Sequence, residues 1–242
     1  MDWHAFLRAW SREATARGFQ SETLVEVGGY PLLASDRGDL SKPCIYLSSG
    51  MHGDEPSGPQ ALMELLKADF FDDRFRWLIC PVLNPTGLEA GTRENVHGID
   101  LNRDYCQCQT QEVCAHTSWL KKQPAPQLFL SLHEDWESSG FYFYEINIGG
   151  EASPYRAILK AAAPHFPPEP ETIIDDHPVT EPGWIYHSEH PDLPEGWPEA
   201  IYLAKMGCPL SLTFETPSRS AMGQRMSCHQ AVVKAAVEMC LL

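Results

Sequence analysis

The chain has 242 residues, 43% of them hydrophobic, and a formal net charge of −15. That content suffices for one substantial core, so a single catalytic domain over residues 1–242 is expected. The acidic balance disfavours nucleic acid or an anionic membrane as a partner, since both need a basic surface, and no apolar run reaches the ~18 residues that would span a bilayer.

Residues 3–17 predict an amphipathic helix with Trp3, Phe6, Leu7 and Trp10 on one face. Residues 23–27 and 30–34 flank Gly28-Gly29 and predict a β-hairpin. Residues 44–48 read as a short apolar strand. Pro56 opens a helix whose buried stripe is Ala61, Leu62, Leu65 and Leu66. Residues 77–83 form a second buried strand closed by Asn84-Pro85, residues 128–132 a third and residues 210–214 a fourth. Residues 164–198 hold many prolines together with His177, Trp184, His187 and Trp197, and predict one or two long loops, which in compact domains often carry function. Residues 224–241 predict a closing helix, with Val232, Val233, Ala236 and Val237 among its apolar positions. Strands alternating with helices argue for an α/β domain with a largely buried sheet.

Eight cysteines are scattered without framework spacing, and the start Met1-Asp2-Trp3-His4 is not a basic region leading into an apolar stretch. Reduced thiols in a cytoplasmic protein are the expectation. The tightest group, Cys106, Cys108 and Cys114, lacks both the two-residue thiol spacing and the second pair of a structural zinc site.

The polar residues that matter fall at strand ends. Ser49-Gly50-Met51-His52-Gly53-Asp54-Glu55-Pro56 places an imidazole and a carboxylate three residues apart in a Gly-flanked turn just after the strand at 44–48. The strand at 128–132 ends in His133-Glu134-Asp135, and the strand at 210–214 ends in Glu215-Thr216-Pro217. Ligands of open α/β sheets bind at the carboxyl edge, where such strand ends converge. Two imidazoles and a carboxylate suit zinc with a vacant position for water. His52, Glu55 and His133 are therefore expected to hold Zn2+, with Glu215 as the non-ligating general base and acid. Between them lie Asn84-Pro85-Thr86-Gly87, Gly91-Thr92-Arg93-Glu94-Asn95 and Gly98-Ile99-Asp100-Leu101-Asn102-Arg103-Asp104. An amide beside a guanidinium, Asn102 and Arg103, suits bidentate capture of a carboxylate, and Arg93 can polarise a carbonyl and stabilise an oxyanion.

In this order the motifs resemble the zinc carboxypeptidase superfamily, the M14 metallopeptidases, with its aspartoacylase and succinylglutamate desuccinylase relatives. They run from about residue 44 to 217, and the stretch from Gly91 to Arg103 is most similar to bacterial murein-peptide amidase-type members. The resemblance implies a mixed β-sheet flanked by helices and one zinc on His52, Glu55 and His133. It also implies a carboxylate-binding pair Asn102 and Arg103, a carbonyl-polarising Arg93 and a proton shuttle Glu215. The family's substrate-capping Tyr has no counterpart at the usual place some twenty residues before the catalytic Glu; Tyr186 and Tyr202 flank that place, and Tyr186 is the candidate. The interval from His52 to His133 is shorter than in the digestive enzymes, implying trimmed loops and a more open cleft.

Each site residue also has a plainer explanation. Glu55 could cap the following helix, Glu215 could accept hydrogen bonds at a helix start, and His133 could be an ordinary buried histidine. Arg103 could pair with Asp100 or Asp104, and Arg93 with Glu89 or Glu94. Glu134, Asp135, Glu137 and Glu145 form an acidic group that could meet a basic substrate end or a second metal, although for Glu134, Asp135 and Glu145 solvation or a supporting place behind the ligands is the simpler reading. The expected activity is cleavage of an amide next to a free carboxylate, on a peptide or on a small acyl-amino acid. A metal- or ligand-binding module without turnover is the alternative from another class. Oligomeric state and side-chain preference are not legible.

Overall fold

The computed structural model describes residues 1–150 and 152–239. Helix α1 (Trp3–Ala16) starts at Asp2, whose carboxylate accepts from Ala5 N at 2.8 Å. Strands β1 (Gln20–Val27) and β2 (Tyr30–Arg37) pair antiparallel through the expected Gly28-Gly29 turn, where both glycines have positive φ, 60° and 85°. Two successive positive φ values define the type I′ hairpin turn, which glycine adopts at no steric cost.

β3 (Cys44–Ser49), α2 (Ser57–Lys67) and β4 (Arg76–Cys80) follow, β4 ending sooner than the apolar run suggests. Asn84 then caps α3 (Pro85–Ala90), with Pro85 at its first position. After a single 3-10 turn at Leu101–Arg103 come α4 (Gln111–Leu120), β5 (Leu128–Asp135), β6 (Tyr142–Asn147) and α5 (Tyr155–Ala162). The proline-rich stretch at 164–198 is not merely loop. It folds a hairpin, β7 (Ile173–Ile174) with β8 (His177–Pro178), and then β9 (Trp184–Tyr186). α6 (Glu199–Lys205), β10 (Leu210–Pro217) and α7 (Met222–Met239) complete the described chain. The last residues of the expected closing helix lie outside the described residues.

One eight-stranded mixed sheet runs β1-β2-β4-β3-β5-β10-β6-β9. The four central strands β4, β3, β5 and β10 are parallel, and antiparallel pairs lie beyond them on both sides. β9 joins the far edge parallel to β6. On one face Ile45, Leu47, Trp77, Ile79, Leu128 and Leu130 pack under α1, α2, α5 and α7. On the other face Tyr46, Leu78, Cys80 and Phe129 pack under α4 and α6. Both faces are covered, which is why the central strands read as continuous apolar runs.

The second face carries the cleft. Along β5 it presents Phe129, Ser131 and His133, and along β10 Ser211, Thr213 and Glu215, by the two-residue period of a strand. Large rings fill the space beneath α4 and α6. Further along each strand the side chains shrink to Ser and Thr, so a cavity of about 690 Å³ opens at the carboxyl edge.

Candidate active site

His52 and Glu55 sit in the turn after β3, and His133 near the end of β5; all three are buried. Their ligand atoms converge. His52 Nδ1 lies 2.6 Å from Glu55 Oε1, His133 Nδ1 lies 2.9 Å from Glu55 Oε2, and the two Nδ1 atoms are 3.2 Å apart. Burial opposes charge on Glu55, but His52 and His133 outweigh it and hold the carboxyl far below the usual range. Burial likewise disfavours a charged His52, yet Glu55 and Asp100 raise it to about 9, so a proton balances the cluster when no ion does. Two imidazole nitrogens and a carboxylate around one point are a donor set that fits zinc.

The turn is held by backbone packing. A Cβ on Gly53 would lie 1.9 Å from the Gly87 carbonyl carbon, so α3 can press against the turn only because residue 53 is glycine. Asn84 serves two ends of the Asn84-Pro85-Thr86-Gly87 motif. Its Oδ1 accepts from Gly87 N at 2.9 Å, and its Nδ2 donates to Arg93 O at 3.2 Å. That same Arg93 carbonyl accepts from Gly53 N at 3.4 Å. The Arg93 backbone is thereby tied to the metal-ligand turn, and its Nη1 lies 3.3 Å from His52 Nδ1. Asn95 closes the next turn by accepting from His97 N and Ile99 N, which delivers Asp100.

Asp100 organises the side chains on either side of it. It accepts from Arg93 Nε at 3.1 Å and from Asn102 N at 2.8 Å, and lies 3.3 Å from His52 Nε2. A carboxylate behind a ligating imidazole fixes ring orientation and raises ligand basicity. Arg93 thus pairs with Asp100 rather than with Glu89 or Glu94. Asn102 Oδ1 accepts from Glu199 N at 3.0 Å, which fixes the amide with its NH2 group left for a ligand. Arg103 is exposed at the cleft and forms no ion pair among the described residues; Asp104 instead binds Thr110 and Gln109 N.

Glu215 stands beside His133 in the β5–β10 register and lines the cleft. Burial pushes its carboxyl well above the usual range, Glu55, Asp135 and Asp175 add to the effect, and Arg93 opposes it. His52, Glu55, His133, Arg93, Asn102, Arg103 and Glu215 all face one cleft. Tyr186 does not: it lies on β9, half exposed, with its hydroxyl donating to Asn147 O at 3.2 Å. The tyrosines that line the cleft are Tyr142 and Tyr144, which β6 places opposite Glu215 and Thr213.

Two members of the acidic group are built into the fold. Glu134 is buried, accepts from Ser57 N at 2.6 Å at the start of α2 and pairs with Arg225. Glu145 is fully buried and binds Asn147 and Ser153. Both are held by protein partners rather than by solvent. The sequence reading also overlooked Glu199, which is buried beneath the cleft. It accepts from Tyr46 Oη at 2.8 Å and Ser48 Oγ at 2.7 Å. His116 completes the chain with its ring between Tyr46 and Tyr105, 2.8 Å from each hydroxyl. Burial raises Glu199 to about 7 and lowers His116 to about 3. No short motif marks this network, because its members come from β3, α4 and α6.

The fold is that of solved metallopeptidase and metallo-carboxypeptidase structures, and the convergent donor set is one that could hold a metal ion. The chain belongs to the succinylglutamate desuccinylase/aspartoacylase catalytic-domain family, whose profile matches residues 41–166. Carboxypeptidase SOL1 of Arabidopsis thaliana is 33% identical over 95 residues, covering 33% of this chain and only 19% of that protein. A candidate metallopeptidase from Shewanella baltica superposes with a TM-score of 0.86 at 25% identity, covering 99% of this chain and 92% of that one. A metallo-carboxypeptidase from Pseudomonas aeruginosa, solved with (2-guanidinoethylmercapto)succinic acid, has a TM-score of 0.69 at 16% identity, covering 97% of this chain and 68% of that one. Among the described residues no helix is long and apolar enough to cross a membrane.

Proposed function

We propose that the protein hydrolyses an amide bond next to a free carboxylate in a zinc-dependent reaction, as a metallocarboxypeptidase or peptide amidase. The observation that carries this reading is Arg103, a guanidinium with no ion-pair partner among the described residues, in the same cleft as His52, Glu55, His133 and Glu215. His52, Glu55 and His133 would hold the ion, which when bound supplies a Lewis acid for a carbonyl and an acidified water.

The rest of the chemistry belongs to the chain. Arg103 and the Asn102 NH2 group capture the terminal carboxylate and set the scissile carbonyl in register. Arg93, oriented by Asp100, stabilises the oxyanion as the carbonyl becomes tetrahedral. Glu215 takes a proton from the attacking water and gives it to the leaving amine. Burial raises that carboxyl, which favours the protonated form it takes between the two transfers. One catalytic unit over the whole chain is part of this reading, since α1 and α7, from opposite ends, pack into the same cluster. We place it in the cytoplasm on cysteine usage.

A second reading, an N-acyl amino acid deacylase, is favoured by the family match itself. The deciding experiment is mass-spectrometric product analysis with zinc-loaded and chelator-stripped protein. The panel holds free-acid peptides, their amidated twins, γ-glutamyl-diaminopimelate peptides and N-acyl amino acids. Loss of one C-terminal residue, from free acids only and with metal only, supports the first reading. Cleavage confined to N-acyl amino acids moves the protein to the second, and silence across the panel leaves a binding module without turnover.

A further inference from the structure

A second group of ligand-type side chains gathers at the outer wall of the cleft, on the stretch that sequence reads as loop. His177 opens β8 directly after the hairpin tip Asp175-Asp176, whose φ values are 48° and 63°. Aspartate is one of the few non-glycine residues that tolerate this left-handed conformation, and a two-residue tip of this kind fixes the strands that flank it. His187 follows β9, and its backbone N–H donates to Glu145 O at 2.8 Å. Asp192 lies five residues on, in the loop that returns to α6.

The three meet at one oxygen. His177 Nε2 is 3.3 Å and His187 Nε2 3.4 Å from Asp192 Oδ2, and the two rings lie 4.6 Å apart by centroid. Tyr144 packs edge-on to both rings and holds them in place. His187 Nδ1 is 2.6 Å from Ser188 O. A carbonyl only accepts, so Nδ1 carries a ring proton, and in the neutral imidazole Nε2 is then the nitrogen with the lone pair, on the side of Asp192. The ligand atoms of all three side chains lie close enough together for one divalent ion to take both imidazoles and the carboxylate. Ligands on one tetrahedral zinc, with bonds of ~2.0–2.1 Å, lie about 3.4 Å apart. The two measured edges match this spacing, and the Nδ1–H to carbonyl bond is the support that a ligating imidazole ordinarily has.

We propose that His177, His187 and Asp192 form a second divalent-cation site, separate from His52, Glu55 and His133, whose ion clasps the 188–196 loop to the outer end of the sheet. The far end of that loop is already anchored: Gln107 Nε2 donates to Glu195 Oε2 at 2.5 Å, and Trp197 Nε1 donates to Pro194 O at 2.9 Å. It runs beside Arg103, where a Cβ on Gly196 would sit 3.5 Å from Arg103 Cδ. The near end is held chiefly through Asp192, whose side chain is 63% exposed. The ion would fix that end and so shape the wall beside Arg103. The binding claim stands without the catalytic reading; only the consequence for Arg103 leans on it.

The test uses the full chain, stripped with chelator and titrated with zinc alone, with stoichiometry read by calorimetry and by elemental analysis after dialysis. Wild type should bind two ions. His177→Ala, His187→Ala and His133→Ala should each bind one, and Asp192→Asn, at an exposed position that leaves the fold intact, should weaken one site at least tenfold. Hydrogen exchange in the 188–196 loop should slow on zinc addition to His133→Ala but not to the His133→Ala/His177→Ala double variant. Unchanged two-ion binding in His177→Ala and Asp192→Asn overturns the proposal, as does a single wild-type ion lost only with His133→Ala. A single ion lost with His177→Ala and kept in His133→Ala upholds the outer site and removes the catalytic one.

Discussion

Two His-His-carboxylate groups share one cleft but rest on different supports. The inner group stands at the ends of β3 and β5, in the parallel centre of the sheet, with all three side chains buried. The outer group stands on a two-residue strand, the residue after β9 and a loop, with side-chain exposures of 23%, 13% and 63%. The inner side chains are held by packing from both faces of the sheet and by Asp100 and Arg93. The outer ones are held by the His187 N–H to Glu145 O bond, the His187 Nδ1 bond to Ser188 O, one tip turn and the Tyr144 ring. Chemistry that needs atoms fixed before substrate arrives belongs on the first kind of support, and a clasp that orders a loop belongs on the second.

That contrast can be broken most severely at Glu215. Glu215→Gln should keep inner-site zinc yet lose turnover by roughly 10²–10⁴-fold or more, whereas His133→Ala should lose that metal as well. Near-full activity in Glu215→Gln, with metal content measured on the same sample, would end the role assigned to it. Next in size is Arg103→Met. A charge-assisted contact of about 1.5–3 kcal/mol corresponds to roughly a 10–100-fold loss of kcat/KM on free-acid substrates. Amidated substrates should show little change, and an equal loss on both would mean Arg103 does not read the carboxylate.

Smaller effects sharpen the comparison of supports. Gly53→Ala forces a Cβ into the Gly87 backbone and should cost about 1–3 kcal/mol in thermal or denaturant unfolding. Asp192→Asn in stripped protein should stay within about 0.5 kcal/mol; a larger loss would mean that the outer group is already a structural element without its ion. The pH dependence separates the network beneath the cleft. Buried His116, lowered to about 3, stays neutral in the fold, while the unfolded chain protonates it below about 6.5. The unfolded state then binds more protons, so the stability His116 contributes falls as pH drops from about 6.5 toward 3, by about 1.4 kcal/mol per unit. The stability difference between wild type and His116→Gln should change with that slope. A difference independent of pH contradicts a neutral buried His116.

Much of the inner site was readable because its residues follow continuous apolar strands. A strand buried on both faces announces itself, and the residues after it must lie at the carboxyl edge of the sheet. β6 was missed although Tyr142–Asn147 is rich in aromatic residues, and β9 because three residues carry no period. Tyr186 is a candidate only because, like Tyr202, it flanks the expected place along the chain before Glu215. Chain distance says nothing about which strand neighbours β10, and that neighbour is β6 with Tyr142 and Tyr144. For Glu134 and Glu145 the sequence left solvation and a supporting place equally open; Arg225 and Ser57 hold the first, and Asn147 and Ser153 the second.

By itself, then, the sequence determined the buried central strands of the sheet, the Gly28-Gly29 hairpin and the candidate ligand, carboxylate-binding and proton-shuttle residues. These are local facts: an apolar run, a turn's backbone requirement, a spacing between donors. Tertiary structure alone decided that Asp100 stands behind His52 and that Glu199 joins Tyr46, Ser48 and Asn102 beneath the cleft. It alone brought His177, His187 and Asp192 to one oxygen. Those groupings come from segments far apart in sequence or from irregular backbone, where no periodicity constrains the side chains and only packing brings them together.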